Sequence, residues 1–246
     1  MRTFRYDRRR SNYLHRGLLA LIDRASVRTI LELGAHDGSD TIALFKQFDA
    51  DIHAFECHPD IIPLARERYH ECPRIRLVEK AVWDADTRIP FYPVIRTTQN
   101  GQLLDNPGAS SCFLARDDYH QRYEQSVTEV EAMRLDGYCA THGLTQIDLI
   151  CMDVQGAALH ALRGLGDGLR NVRYIIAELE KRPLYRGQAL YPEVAAHLAA
   201  HGFCPVAEVI RDDWFSDFLF IKNTGQSPRM SLWKSLDVRL RTLVAR

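Results

Sequence analysis

Strand-like and helix-like patterns alternate along most of this chain, and no other feature restricts its fold as strongly. Five apolar runs are typical of strands: TILELG, DIHAFEC, RIRLVEKAV, QIDLICMDV and VRYIIAEL. Helical patterns stand between most of them, as over residues 40–48 and in PDIIPLARERYH. Because crossover helices join parallel strands, this order predicts an α/β fold with a mostly parallel sheet covered by helices on both faces. The last two runs, FCPVAEVI and DFLFIKN, have no helix between them and predict an antiparallel hairpin.

Three segments depart from this regular alternation. Residues 1–26 are basic and include a leading helix over 13–24, predicted by apolar residues at helical spacing. Residues 84–146 interrupt the domain 27–224. Their stretch TTQNGQLLDNPGASSC predicts an irregular insertion with a long loop that acts as a lid. Residues 225–246 form a basic amphipathic tail, with Leu232, Trp233, Leu236, Leu240 and Leu243 on one helical face. We expect that face to dock on protein in preference to a membrane surface.

Charge balance and cysteine spacing limit the partners of the chain. Its 246 residues include 32 basic and 32 acidic side chains, without the basic excess of a dedicated nucleic-acid binder, so we expect no nucleic-acid partner. Six cysteines without a C-x-x-C pair predict reduced thiols in a cytoplasmic protein and no metal site. No apolar run approaches the roughly 18 residues of a membrane span. A homo-oligomer is compatible with these features.

The stretch ILELGAHDGSD marks the sharpest turn in the sequence. Gly34 and Gly38 let the backbone turn tightly after the first strand of the domain, and Ser39 or Asp40 can cap the next helix. Dinucleotide sites need bare backbone at the helix N-terminus for a pyrophosphate, with the spacing G-x-G-x-x-G. Here the spacing is G-x-x-x-G, with His36 and an acid inside the turn. The turn therefore favours a nucleoside cofactor without a phosphate.

The ends of the next two strands support a nucleoside site. Glu56 ends DIHAFE about 20 residues after the turn, where a carboxylate binds two ribose hydroxyls in such folds. Ala81 and Val82 end the following strand and are placed to frame an adenine ring. Asp84 would then accept a hydrogen bond from the amino group of the base.

Taken together, these motifs resemble the class I methyltransferases, and more narrowly the FkbM family. The resemblance runs from Arg28 to Lys222 through ILELGAHDGSDT, HAFECHP, NPGASSCF and IDLICMDVQGAALHALRG, the last being the most specific. It implies a Rossmann-like, doubly wound sheet of seven strands, S-adenosylmethionine as cofactor, and methylation of a hydroxyl on a sugar, glycan or natural product. It also implies a hydroxyl-bearing small molecule or glycan as acceptor.

The resemblance also implies a set of site residues. Expected cofactor contacts are Glu32, Gly34, Ala35, His36, Gly38, Ser39, Glu56, Cys57, Ala81, Val82 and Asp153. Asp153 is the expected proton acceptor, because it ends the fourth strand, with Glu178 and His36 as further catalytic candidates. Ser110, Ser111 and Gln155 are expected in the lid and at the substrate. Cys151 and Ala158 stand where the family often has a lysine and an acid.

Three alternatives stay open at this point. A nicotinamide-dependent oxidoreductase would share the sheet, although the turn spacing disfavours it. A nucleic-acid methyltransferase would keep the cofactor, but DVQG stands where the Asn/Asp-Pro-Pro-aromatic element of base-amino methyltransferases is expected. A non-catalytic protein that retains the fold is the third alternative, because of Cys151 and Ala158.

Overall fold

A computed structural model describes residues 1–6 and 13–223. The strands are β1 (Arg2–Arg5), β2 (Thr29–Leu33), β3 (Asp51–Phe55), β4 (Ile75–Val78), β5 (Ala81–Val82), β6 (Thr87–Phe91), β7 (Val94–Gln99), β8 (Gln102–Leu104), β9 (Arg122–Gln125), β10 (Thr128–Met133), β11 (Ile147–Met152), β12 (Val172–Glu180), β13 (Phe203–Ile210) and β14 (Phe215–Lys222). The helices are α1 (Arg16–Leu19), α2 (Ser39–Phe48), α3 (Ile62–Tyr69), α4 (Leu135–Thr141), α5 (Ala158–Leu165) and α6 (Tyr191–Ala200). The amphipathic tail over 225–246 lies outside the described residues.

The main sheet confirms the predicted fold class. Its strand order is β1-β13-β14-β12-β11-β2-β3-β4. Neighbouring strands are parallel except at β14, which runs antiparallel to β12 and β13, so the C-terminal hairpin is also confirmed. All seven expected strands are present. The eighth, β1, adds to the sheet by pairing parallel with β13 from Arg2–Ala207 to Arg5–Ile210. The short, charged RTFR gives no strand signal of its own, because its pairing partner lies near the other end of the sequence.

Apolar cores pack against both faces of this sheet. Helices α1 to α3 contribute to one core and helices α4 to α6 to the other. Alternate residues of β11 serve the two cores: Leu149 and Cys151 belong to the first, Ile150 and Met152 to the second. Because all residues of β11 are buried, this central strand reads as a continuous apolar run, as parallel strands covered on both faces do.

The segment 84–146 is more regular than predicted. It contributes to two small sheets, ordered β5-β10-β6 and β8-β7-β9, and contains helix α4. The run TRIPFYPVI contributes to two strands, β6 and β7, which are separated by Tyr92 and Pro93. Strand β6 pairs antiparallel with β10, with Ile89 opposite Val130. Pairing between strands so far apart in the chain leaves no pattern in the local sequence. The prediction that this segment is irregular was therefore wrong.

Two helix boundaries also differ from the expected ones. The leading helix spans only Arg16–Leu19, followed by a short 3-10 turn at Arg24–Ser26. The helix after β3 begins at Ile62 rather than at Pro59, because His58 accepts the amide hydrogens of Ile61 and Ile62 in a preceding turn. Across residues 1–6 and 13–223, no helix combines the length and the apolar character needed to cross a bilayer.

Candidate active site

Two adjoining cavities open at the carboxyl ends of the parallel strands, where open α/β sheets bind ligands. The first, which we call the turn cavity, has a volume of about 310 Å³ and lies beside the turn after β2. The second, the acid cavity, has a volume of about 260 Å³ and is lined by Glu178 and Glu180 at the end of β12. Gly108, Asp153 and Gln155 line both cavities, which therefore meet at these residues.

Two glycines with left-handed backbone hold the turn after β2 in shape. The φ angles of Gly34 and Gly38 are 84° and 82°. A Cβ atom on Gly34 would lie 1.9 Å from the carbonyl oxygen of Asp153, and one on Gly38 would lie 2.6 Å from the Tyr69 ring. The turn packs against the end of β11, where the Asp153 amide donates to the Leu33 carbonyl at 2.9 Å. A side chain at Gly34 would push the turn off this strand end, and one at Gly38 would collide with the Tyr69 ring.

Glu56 occupies the wall of the turn cavity at the end of β3. One carboxylate oxygen accepts the His36 amide hydrogen at 2.7 Å. The other accepts the amide hydrogens of Cys57 and His58 at 2.8 and 2.7 Å. A carboxylate offers about four acceptor positions, so roughly one remains for a ligand hydroxyl. The carboxylate thus also fastens the glycine turn to the end of β3.

Most of the predicted cofactor contacts line the turn cavity. They are Gly34, Ala35, His36, Ser39, Glu56, Cys57, Ala81, Val82 and Asp153. Gly38 shapes the turn but is not part of the lining. Glu32 is a wholly buried residue of β2 that does not line the cavity, and burial raises the pKa of its carboxyl well above its usual range. These two residues therefore lie outside the cavity lining, and a direct cofactor contact stays a prediction for them.

Two further acids lie outside the turn cavity. Asp84 contacts Nδ1 of His160 at 2.9 Å, and the His160 ring stacks on Trp83 with ring centroids 3.7 Å apart. Asp84 thus contacts helix α5 through His160, and its role as an acceptor for the base stays a prediction. Asp37, inside the glycine turn, pairs with Arg68 at 2.8 Å and is not part of the lining. The sequence argument against a phosphate therefore rests on the turn spacing and not on this charge.

Tyr13 is a cavity residue that the sequence did not indicate. It is 2% exposed and lines the turn cavity. Burial raises the pKa of its phenol, and the charges of Asp153 and Glu32 raise it further. Because Tyr13 precedes the first strand of the domain, no strand-end pattern could have marked it. An aromatic residue at the start of the leading helix was the only available signal.

The two serines of the predicted lid make hydrogen bonds to distant residues. Ser110 Oγ accepts the amide hydrogen of Val94 at 2.9 Å. Ser111 Oγ donates to the carbonyl of Gln155 at 2.6 Å and accepts the amide hydrogen of Phe113 at 3.0 Å. Both serines line the turn cavity. Ser111 thus fastens the predicted lid to the loop that follows β11.

Gln155 connects the polar groups where the cavities meet. Its Nε2 donates to Asp153 Oδ1 at 2.5 Å and to Glu178 Oε1 at 3.1 Å. Its Oε1 accepts the Tyr185 hydroxyl at 2.7 Å. The backbone of Gln155 is left-handed, with φ of 44°, a conformation that is uncommon for a residue with a side chain. This network holds the two carboxyl groups beside each other.

Arg211 lines the acid cavity, and two acidic side chains pair with its guanidinium group. Its Nη2 is 3.0 Å from Glu178 Oε2, and its Nε donates to Asp217 Oδ2 at 3.1 Å. The guanidinium carbon also lies 4.2 Å from the ring centroid of Tyr6, which follows β1. Arg211 comes from the turn between β13 and β14, and nothing in its local sequence pointed to the site.

Burial makes the acids of this region hold protons more tightly than usual. It raises the pKa of Asp153, opposed by the charge of Arg211. It raises the pKa of Glu178 further, assisted by the nearby Asp153. It also raises the pKa of Glu180 to about 8 and that of Asp217 to about 7. Within the described ranges, no group of three or more His, Cys, Asp or Glu side chains is arranged to hold a metal ion.

His36 lines the turn cavity but not the acid cavity. Its backbone is left-handed, with φ of 48°. Its Nε2 atom is buried and makes no hydrogen bond to the described part of the chain. A buried ring nitrogen without a partner is costly unless a ligand or water satisfies it. The side chain is therefore placed to meet a ligand of the turn cavity.

The two departures from the family pattern lie away from both cavities. Cys151 is wholly buried among apolar residues on one face of the sheet, and Ala158 is buried in the core on the other face. Neither residue lines the turn cavity or the acid cavity. These substitutions leave every lining group of the two cavities in place.

Comparison with known proteins agrees with the sequence motifs. The model of the methyltransferase FkbM domain matches residues 32–204, most of the chain. The 2-O-methyltransferase NoeI of Sinorhizobium fredii (strain NBRC 101917 / NGR234) is 31% identical over 180 residues, which cover 71% of this chain and 72% of the relative.

Solved structures give more distant likenesses. The fibrillarin pre-rRNA processing protein of Methanococcus jannaschii is 16% identical, with a TM-score of 0.48 over 82% of this chain and 69% of that chain. Aeropyrum pernix fibrillarin with bound S-adenosyl-L-methionine is 12% identical, with a TM-score of 0.48 over 86% of this chain and 76% of that chain. The extent of the family match and the identity to NoeI decide the assignment: the chain belongs to the FkbM methyltransferase family and is an S-adenosylmethionine-dependent O-methyltransferase.

Proposed function

We propose that this chain methylates a hydroxyl of a sugar, a glycan or a related natural product, with Asp153 as the group that accepts the hydroxyl proton. One observation carries the proposal: Asp153 lines both cavities. A base in methyl transfer must reach the acceptor hydroxyl while that hydroxyl faces the methyl donor. The position of Asp153 on both linings supports this role.

The residues of the turn cavity fit S-adenosylmethionine. A volume of about 310 Å³ falls within the range of small-molecule sites. Glu56 offers an acceptor for ribose hydroxyls, and Ala81 and Val82 give an apolar wall for adenine. The unpartnered Nε2 of His36 adds a polar contact. When bound, S-adenosylmethionine supplies an activated methyl group on a positively charged sulfur.

The neighbours of Asp153 suit the role of proton acceptor. A base works best when its pKa lies near the working pH, and burial moves the pKa of Asp153 upward in that direction. The amide of Gln155 donates to Asp153 Oδ1 and fixes the orientation of the carboxyl group. Glu178 shares the same amide and is placed to assist. His36 lines only the turn cavity, so we assign it to cofactor contact rather than to proton transfer.

The lining of the acid cavity supports a polyhydroxyl acceptor. Side-chain amides come from Asn106, Gln121 and Gln155, and aromatic rings come from Tyr119, Tyr123 and Phe215. Amides and carboxyls bind hydroxyls directionally, and rings offer an apolar face to a sugar. The relative NoeI carries the name 2-O-methyltransferase, which agrees with a hydroxyl acceptor.

The segment 106–113 is proposed to act as a lid. Gly108 lines both cavities, and Ser110, Ser111 and Cys112 line the turn cavity. To open toward the cofactor, the segment would have to break the bond from Ser111 to the Gln155 carbonyl and the bond from the Tyr185 hydroxyl to the Ala109 carbonyl. The six cysteines are free, which supports a reducing compartment such as the cytoplasm.

A methyl-transfer assay with a panel of neutral sugars tests the proposal. We expect radiolabel from S-adenosylmethionine in at least one sugar, and an O-methyl ether in its NMR spectrum. Transfer to a nitrogen atom, or to RNA or DNA in place of sugars, would contradict it. Binding of S-adenosylhomocysteine without transfer to any hydroxyl compound would favour the non-catalytic alternative.

A further inference from the structure

The charges around the acid cavity indicate which acceptors it admits, an inference that rests on the proposed function. In the described part of the chain, its lining contains three acids, Asp153, Glu178 and Glu180, and one base, Arg211. Asp217 is wholly buried beside Arg211 and adds a fourth carboxyl group. The region therefore has more carboxyl groups than basic groups.

The single base is not free to bind an anionic acceptor. Glu178 and Asp217 engage Arg211 at 3.0 and 3.1 Å, and the side chain of Arg211 is only 12% exposed. The ring of Tyr6 covers the guanidinium at 4.2 Å. To pair with a carboxylate or phosphate on the acceptor, Arg211 would have to leave buried acids that have no other base among the cavity residues. Breaking a buried ion pair in this way is strongly unfavourable.

The acids of the cavity respond in opposite ways to a negative and to a positive group on the acceptor. Burial raises the pKa values of Glu178 and Glu180, so both carboxyl groups keep their protons at a higher pH than an ordinary carboxylic acid does. A negative group on the acceptor would raise the pKa values of these acids further, whereas an ammonium group would lower them and favour the ionised carboxylates. The carboxyl groups also accept hydrogen bonds from neutral hydroxyls.

The site is defined by its space and its position, and not by its acids alone. The acid cavity has a volume of about 260 Å³ and joins the turn cavity at Asp153. Tyr119, Tyr123 and Phe215 supply rings on its wall, and Gln121 supplies an amide. A ring-shaped polyol in this space would meet the acids at its edge.

We propose that the acid cavity selects its acceptor by charge: amine-bearing polyols are preferred, neutral polyols are accepted, and polyols with a carboxylate or phosphate near the reacting hydroxyl are rejected. Acceptor choice thus depends mainly on Glu178 and Glu180, which line the acid cavity and not the turn cavity.

Matched acceptors test this order. Each hexose is supplied as a methyl glycoside in three forms that differ only at carbon 6: the alcohol, the amine and the carboxylate. The full chain is assayed with labelled S-adenosylmethionine at about pH 9. At this pH a primary amine with a pKa of about 10 is still mostly protonated and the carboxylate of the sugar is ionised. Glu180 is also mostly ionised there, because its pKa is raised to about 8. We expect kcat/KM for the carboxylate to be at least about 100-fold below that for the alcohol, since opposed like charges cost several kcal/mol. The kcat/KM for the amine should exceed that for the alcohol.

Variants assign the effect to the cavity. Glu180→Gln keeps the shape and removes one acid, so the preference for amine over carboxylate should shrink about tenfold. Glu129→Gln is the matched control, because Glu129 is an exposed residue of β10 that lines neither cavity. Equal rates for the three forms, or an unchanged preference in Glu180→Gln, would overturn the charge selection. If no form of any hexose is methylated while S-adenosylhomocysteine still binds, the proposed function falls, and this inference with it.

Discussion

The two cavities are built in different ways, although they meet at Asp153. The turn cavity depends on backbone: two left-handed glycines, and amide hydrogens that converge on Glu56. The acid cavity depends on side chains from distant segments, with Gln155 and Arg211 joining acids from β11, β12 and β14. A backbone cradle tolerates little change, whereas a side-chain lining can be altered one residue at a time. This contrast suits a fixed cofactor beside an exchangeable acceptor.

Asp153→Asn should separate the two cavities most clearly. The amide keeps the size of the side chain but cannot accept the hydroxyl proton, so we expect kcat to fall by about 10²- to 10⁴-fold. The affinity for S-adenosylhomocysteine should change by less than about tenfold, since a neutral side chain of the same shape remains on the wall. Steady-state kinetics and calorimetry measure the two effects. The exposed Asp167→Asn serves as control, and unchanged turnover in Asp153→Asn would remove the proposed base.

Gly34→Ala should break the turn cavity itself. The new Cβ would lie 1.9 Å from the Asp153 carbonyl oxygen, on backbone with φ of 84°. Overpacking costs about 1–3 kcal/mol and left-handed backbone about 1–2 kcal/mol more, so the free energy of unfolding should fall by about 2–5 kcal/mol. Urea unfolding measures this change. Gly101→Ala is a matched control, because Gly101 has φ of 77° and open space around it. Equal losses in both variants would show that backbone strain, and not the close approach to β11, requires glycine at position 34.

Glu56→Gln should weaken cofactor binding with little direct effect on the acid cavity. The amide retains one acceptor oxygen and places an NH₂ group toward backbone amides that now donate to a carboxylate. Loss of hydrogen bonds to a charged group costs about 1.5–3 kcal/mol, so the Kd for S-adenosylhomocysteine should rise by roughly tenfold or more. Calorimetry measures the Kd, with the exposed Glu79→Gln as control. An unaltered Kd would place the ribose elsewhere.

Glu180→Gln should change how stability depends on pH. The pKa of Glu180 is raised from an ordinary 4.5 to about 8 in the folded chain. Between these values the folded state keeps a proton that the unfolded state has lost. Raising the pH therefore lowers the free energy of unfolding by up to about 1.4 kcal/mol per pH unit for this group. The variant stays neutral, so its unfolding free energy, measured from about pH 4.5 to pH 8.5, should fall less steeply. Parallel profiles for the variant and the native chain would contradict this cause.

The contrast between the cavities also explains what the sequence could predict. Residues of the turn cavity directly follow strands, so Gly34, Glu56 and Asp153 could be located from the alternation and the family motifs alone. Arg211 and Tyr119 reach the acid cavity from loops whose local sequence resembles any polar turn. The burial of Glu32 outside the turn cavity could not be predicted, because a motif gives the position of a residue along a strand but not the face to which its side chain points. The roles of the predicted catalytic residues stay predictions.

Strand β1 has a consequence for the behaviour of the chain in solution. It covers the edge of β13, whose free amide and carbonyl groups would otherwise be open to a strand from another molecule, and it places Arg2 and Arg5 along the new outer edge. Charged edges discourage such edge-to-edge aggregation. Tyr6 follows β1 and covers Arg211. Deletion of residues 1–6 would therefore expose an aggregation-prone sheet edge and remove a contact that holds Arg211 at the acceptor site.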